Sequence, residues 1–405
     1  MNASVPPSVI ALEAALLHPE DDVATALVDL RAGHSLALAC DAMTCEVVTV
    51  EPIPAGHKVS THALGAGRRI RKYGEFIGRM TADTRRGAWV HSHNLVTSAV
   101  RTVDDEHAWR AQEAPPGGVH PVGAARSAFG ASPIYDRERG TLLWIDTAAA
   151  SLVVVDVERG DERVWPIAAA PRAMVLALDG DALVATDAGL ARIDPRSGTT
   201  ATVAGWEAPS PLRVTDLQCD ARGRVWATAA NPGSAAADGK LFMFDAGRGR
   251  ATVASRLLTP SGLAWSVDGT TLYLAESGRA VVHVYDFDLD NGGLGQPHTF
   301  ADLGAMPGDL GGLTVDGDDH LWVALPGASC LVRYVPTGRV DRVVRMLVTL
   351  PTAYAFGGDH GERMFVTTAR DGSVAGERRA EALAGRTLVF DAGVAGRPPH
   401  RARMP

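Results

Sequence analysis

Cysteine is scarce in this chain, and an excess of basic charge is absent. Four of the 405 residues are cysteine (Cys40, Cys45, Cys219 and Cys330), and no two of them form a C-x-x-C pair. Cys219 and Cys330 sit inside apolar, strand-like runs, which suits buried, reduced thiols of a cytosolic protein. Lys and Arg number 39 against 47 Asp and Glu, a formal net charge of −8. Such a surface has no pull on a polyanion, so no nucleic-acid partner is expected, and a small anion feels no long-range attraction. No apolar run approaches the roughly 20 residues that span a bilayer, so no membrane partner is expected. Residues 1–17 carry neither Lys nor Arg, and Glu13 breaks their apolar run. No signal peptide is read there, and the expected compartment is the cytoplasm.

What is present is a full globular composition, 46% hydrophobic and 21% charged, over a length that suggests two or three domains. One pattern returns six times, at 135–146, 176–189, 219–230, 265–277, 315–326 and 357–369. Each copy is a polar turn, often Asp with Gly, followed by a short apolar strand. The spacing of about 40–50 residues is the period of a propeller blade. A second alternating strand follows most copies, and Gly-rich turns such as 194–198 and 245–249 lead into a third. No long segment of helical period intervenes, which argues against alternating strand–helix folds. The expected fold class is mainly β: a small β-rich domain at 9–100, a linker at 101–125, a six-bladed β-propeller at 126–392 and a frayed tail at 393–405. The strand at 386–391 is expected to pair back with the first blade and close the ring.

The propeller half resembles the senescence-marker-protein/gluconolactonase family. The resemblance is carried by RVTDLQCD at 213–220 with GRVWA at 223–227, by TPSGLAWSVDGTTLYLAES at 259–277, and by the last two blades from Leu310 to Arg370. It implies hydrolysis of sugar-acid lactones with a divalent cation that polarises the carbonyl and activates water. It also implies three oxygen ligands for that cation, and this sequence departs at all three: Ala131 stands for Glu, Ser261 for Asn and Gly311 for Asp. With no anionic ligand left, no cofactor is expected in the propeller. Asp309, Glu276 and Asp216 are the carboxylates from which a replacement site could be rebuilt. The family's substrate-contacting Asn reads Thr215, while Arg213 and Asp216 remain as candidate substrate-binding residues. Arg213 is suited to grip a carboxylate in bidentate fashion, and a salt-bridged channel residue is the alternative.

The N-terminal part resembles a second family, the SAF-type small domain of altronate and galactarate dehydratases and of the sulfolactate sulfo-lyase small subunit. The motifs are D-V-A-x-A-L at 22–27, I-P-A-G-H-K at 53–58, I-x-K-Y-G-E-x-I-G at 70–78 and G-x-x-V-H-x-H-N at 87–94. The turn at 54–56 presents His57 and Lys58. Residues 89–94 alternate like a strand, which puts His91 and His93 on one face. Three imidazoles suit acid/base chemistry or metal ligation; a purely structural role stays open. Dehydration of a hydroxy acid needs a proton removed next to the carboxylate and a departing hydroxyl protonated. His57, His91 and His93 are the candidate catalytic residues, with Lys58, Lys72 and Asn94 to hold substrate. The cofactor of this domain is unknown. In the dehydratases a large catalytic domain follows the small one, and here a propeller stands in its place.

The combined expectation is a protein of sugar-acid metabolism that acts as a lyase component or an altered sugar-lactone hydrolase. The alternative is a non-catalytic protein that binds a sugar acid or docks a lyase large subunit. A small-molecule sugar acid or lactone is the expected partner in either case.

Overall fold

The computed structural model describes residues 13–16, 18–19, 21–40, 43–66, 68–72, 75–91, 93–96, 115, 117–203, 211–234, 236–245, 249–304, 306, 308–370 and 382–403. They fall into two compact units, one made mainly of 13–96 and one mainly of 115–403. The chain is almost wholly β; a single 3-10 turn, Ser277–Arg279, is the helical content among the described residues. No helix among them is long and apolar enough to cross a membrane.

The second unit is a propeller of six antiparallel sheets, whose strands follow chain order in all but the fourth and the sixth. The inner strands of blades one to six are Gly130–Asp136, Pro171–Leu176, Arg213–Cys219, Pro260–Trp265, Leu313–Val315 and Pro351–Gly357. The repeated Asp turns hold the second strands in place. Asp220 accepts Trp226 Nε1 at 2.8 Å and Arg224 Nε at 2.6 Å, and Asp316 accepts Trp322 Nε1 at 2.8 Å and Arg333 Nε at 2.7 Å. Each carboxylate therefore ties a buried indole to a buried guanidinium, so neither of these buried charges is left unpaired. Cys219 and Cys330 are buried, whereas Cys40 and Cys45 are half-buried.

Two expectations are corrected here. Thr387–Asp391 does not pair with the first blade. It pairs with Arg363–Thr368 of its own blade and with His120–Val122, which becomes the outer strand of blade six. The ring is closed by residues that composition assigns to the linker, because a three-residue edge strand carries too little alternation to be read. The tail is not frayed either. Gly317 N donates to Ala395 O, Gly396 N to Gly361 O, Arg397 Nη1 to Val267 O, Ala402 N to Leu176 O and Arg403 N to Gly223 O, all at 2.7–2.8 Å. Arg401 Nη2 adds an ion pair with Asp136 at 2.8 Å. Residues 395–403 thus touch all six blades, and 397–400 line the channel end beside Met174, Leu263, Val315 and Phe356.

The first unit has a four-stranded sheet (Ala14–Ala15, Val23–Ala26, Lys58–Ser60, Trp89–Val90), a hairpin (Ser35–Cys40 with Met43–Val48) and a three-stranded sheet (Arg69–Lys72, Glu75–Met80, Leu95–Val96). Val23, Leu36, Leu38, Ile53, Val59 and Val90 are buried between them. Gly87 sits at φ 81°, and a Cβ there would lie 1.9 Å from Val48 O, so this turn requires glycine.

Candidate functional site

Five of the inner strands slip register close to their start: at Ala131/Ile134, Pro171/Ala173, Val214/Asp216, Pro260/Gly262 and Pro351/Ala353. A bulge leaves its extra residue unpaired and turns the side chain away from the ladder. The skipped residues include Ser132, Arg172, Thr215, Ser261 and Thr352, and all five line one cavity of about 350 Å³ at that end of the channel. Repetition of the same irregularity in successive blades therefore builds the site.

Of the positions that the resemblance marks as cation ligands, Ala131, Ser261 and Gly311 all line this cavity. Ser261 Oγ lies 2.6 Å from Ser277 Oγ, whose hydroxyl also reaches Leu310 O at 2.9 Å. A Cβ at Gly311 would stand 2.6 Å from Thr352 O, so the backbone here has no room for an aspartate. Asp309 lines the cavity at an exposed position. Glu276 is placed elsewhere: it is buried, accepts Leu258 N and Arg279 Nη1, and lies 2.8 Å from His283 Nε2.

Asp216 is buried in the wall. Its Oδ1 accepts Leu217 N at 2.8 Å, its Oδ2 accepts Leu263 N at 2.9 Å, and the Gln218 side chain also donates to it. Burial nonetheless pushes its pKa up to about 7, against the pull of these donors. Thr215 Oγ1 donates to Pro260 O at 2.5 Å and lies 2.9 Å from Thr228 Oγ1. Arg213 is half exposed, 3.9 Å from Asp187, and is not part of the cavity wall. The guanidinium on the wall is Arg172, which grips Asp187 through Nε at 2.8 Å and through Nη2, and holds that carboxyl below its usual range. Sequence reasoning missed Arg172. It occupies the phase of its strand that Thr215 and Ser261 occupy in theirs, and that alignment was the available signal.

In the first unit the three imidazoles do come together. His57 lies 5.0 Å from His91 and 5.2 Å from Trp89 between ring centroids, and His93 stacks on His91 at 6.5 Å with 13° between planes. The route is different from the one expected. The strand ends at Val90, and His91 to Asn94 form a turn in which Asn94 N donates to His91 O at 3.0 Å. Asn94 is buried and holds this turn: Oδ1 accepts His91 N at 2.9 Å, and Nδ2 donates to Trp89 O at 2.8 Å and Thr84 Oγ1 at 3.2 Å. Its amide is committed to structure rather than to substrate. Lys58 opens the strand that follows His57 and pairs in register with Val90; Lys72 ends a strand of the separate three-stranded sheet. Among the described residues no group of three or more His, Cys, Asp or Glu side chains is arranged to hold a metal ion.

A family model described as the SMP-30/Gluconolactonase/LRE-like region matches residues 129–370, and one described as the altronate/galactarate dehydratase SAF domain matches residues 13–98. A pentonolactonase of Haloferax volcanii is 27% identical over 283 residues, which are 67% of this chain and 94% of that protein. A Sulfolobus acidocaldarius protein is 32% identical over 170 residues, 42% of this chain and 61% of that relative's own length. Among solved structures, a calcium-binding protein, regucalcin, from Agrobacterium tumefaciens aligns with a TM-score of 0.65 at 22% identity, over 70% of this chain and 97% of the other. That likeness shows a common fold. With the propeller family matching more than half of the sequence, the chain belongs to the SMP-30/gluconolactonase/LRE-like family and carries an altronate/galactarate-dehydratase-type SAF domain ahead of its propeller.

Proposed function

We propose that the propeller takes a lactone into the bulge-lined cavity and hydrolyses it without a bound dication, with Asp216 as general base. The observation that carries this reading is the buried Asp216 carboxyl on the wall of a cavity whose three family ligand positions are Ala131, Ser261 and Gly311. These residues do not fit a hard dication. One is a methyl, one a hydroxyl already hydrogen-bonded to Ser277, and one a glycine with no space for a carboxylate. In the proposed step a water gives a proton to Asp216 as its oxygen attacks the lactone carbonyl. The tetrahedral intermediate then collapses, and the ring oxygen leaves with the proton returned by Asp216, giving the hydroxy acid. Arg172 lies on the same wall; its charge is paired with Asp187, so what it offers the developing oxyanion is a hydrogen-bond donor rather than a free charge. The pentonolactonase relative supports a lactone ring as the group acted on.

For the N-terminal unit we propose a role as a lyase component acting on a hydroxy acid of the kind that lactone opening releases, with a large subunit as partner. The SAF-domain match and the clustered His57, His91 and His93 support it.

The deciding experiment is turnover of a lactone panel by the full chain in excess chelator. Turnover should persist, rise with pH through about 7, and fall about 10²–10⁴-fold in Asp216→Asn. Activity lost to chelator and restored by calcium would refute the metal-free mechanism.

A further inference from the structure

The cavity has two unlike sides, and they follow the order of the blades. Blades two, three and four present Arg172, Thr215, Asp216, Gln218 and Ser261. The arc from blade five through six to one presents Leu310, Leu313, Pro326, Leu350, Phe129 and Ala131. Hydroxyls on both sides already have protein partners, Thr215 and Ser261 on the first and, on the second, Thr352 Oγ1 to Gly130 O at 2.6 Å and Tyr354 Oη to Gly312 O at 3.0 Å, so the contrast lies in how much of each wall is hydrocarbon. Ser132, half-buried, and Asp309, exposed at the rim, are the polar side chains left on the second. Leu310 and Leu350 are buried at 5% and 7% exposure, whereas Phe129 is 39% exposed. The apolar wall thus runs from the interior out to an aromatic ring that a ligand would cover.

A hydroxyl pressed against this arc gives up its water and finds no partner, which costs binding. A hydrocarbon group there leaves water at no such cost. The polar arc suits the ester group of a lactone, and the apolar arc suits whatever the ring carries on its other side.

We infer that the cavity selects lactones bearing a hydrocarbon chain or aryl group over polyhydroxylated sugar lactones. The ring ester lies against Thr215, Asp216 and Ser261, and the substituent lies on Phe129, Leu310 and Leu350. This deepens the hydrolysis reading above and rests on it for the identity of the ring. Selectivity and turnover are separate readouts, so the two fail separately.

The test is calorimetric titration of the full chain with δ-lactams, which are not cleaved. The series runs from the unsubstituted ring through methyl, propyl and pentyl derivatives, and the polyhydroxylated gluconolactam is compared with it. Affinity should rise about fourfold per added methylene until the wall is covered, and gluconolactam should bind more weakly than the propyl compound. Phe129→Ser, at an exposed side chain, should flatten the rise in affinity for the longer members of the series. Gluconolactam binding more tightly than the alkyl compounds, or an affinity that does not change with chain length, overturns the proposal. Turnover is then read on the matching lactones. A rising lactam series without turnover keeps the selectivity and removes the hydrolysis, and turnover of gluconolactone with a flat series does the reverse.

Discussion

Asp216 shows how one residue ties stability to chemistry. Two backbone N–H groups and Gln218 donate to it, yet burial outweighs them and the pKa rises to about 7. An unfolded aspartate titrates near 3.9. Between these values the folded chain holds a proton that the unfolded chain has lost, so this group lowers stability as pH rises from about 4 to 7, and its effect is constant above. The ceiling is about 4 kcal/mol, the free-energy equivalent of that pKa difference. Asp216→Asn should remove that slope: urea midpoints taken from pH 5 to 8 should fall less in the variant than in the parent. An unchanged slope would mean that Asp216 does not titrate near neutral pH, and that a rise of activity through pH 7 would need another group. At Gly311 the constraint is steric instead. A Cβ there would come within 2.6 Å of Thr352 O, which explains why the loop before blade five carries its acidic side chain at Asp309, on the exposed rim.

At the scale of elements, the turn at His91 to Asn94 separates structural from chemical roles. Asn94→Ala removes three hydrogen bonds, two of them to backbone, and leaves buried groups unpaired. A cost of about 2–3 kcal/mol is expected, read as a lower denaturation midpoint, with the ring cluster disordered by loss of its turn. A substrate-binding Asn would instead change ligand affinity at constant stability. The same turn shows where sequence reasoning stops. Alternation from 89 to 94 looks like a strand, and it puts His91 and His93 together correctly for the wrong reason. The blades were legible because every copy repeats an Asp turn with an apolar strand behind it, and Asp220 with Trp226 and Asp316 with Trp322 show why. The site was legible where motifs covered it, at Thr215, Asp216 and Ser261. Arg172 and Thr352 were not, since a bulge breaks the period-two rule at the very residues it turns inward. The closing strand His120–Val122 was hidden by its brevity.

For the whole molecule, the question is what keeps six similar sheets in one ring. His120–Val122 closes the ring through blade six, and residues 395–403 add a second closure at the channel end. That segment gains a hydrogen bond or ion pair from each blade, and Ala402 is fully buried against Leu176 and Ala177. It also carries His400 into the channel, where burial, with Arg397 second, pushes the imidazole pKa down. A chain ending at Gly393 should therefore lose about 3–5 kcal/mol, from several hydrogen bonds of about 1 kcal/mol each, and melt roughly 10 °C lower. The gap should depend on pH with a defined sign. A histidine whose folded pKa is depressed contributes stability that is complete above about 6.5 and declines as pH falls through the folded value. Melting curves of the two chains should accordingly lie furthest apart above pH 7 and draw together toward pH 5, as protonation of His400 weakens the segment in the longer chain. Equal melting temperatures at neutral pH would show that the ring is held by blade-to-blade packing and the outer strand alone, with the C-terminal segment riding on it.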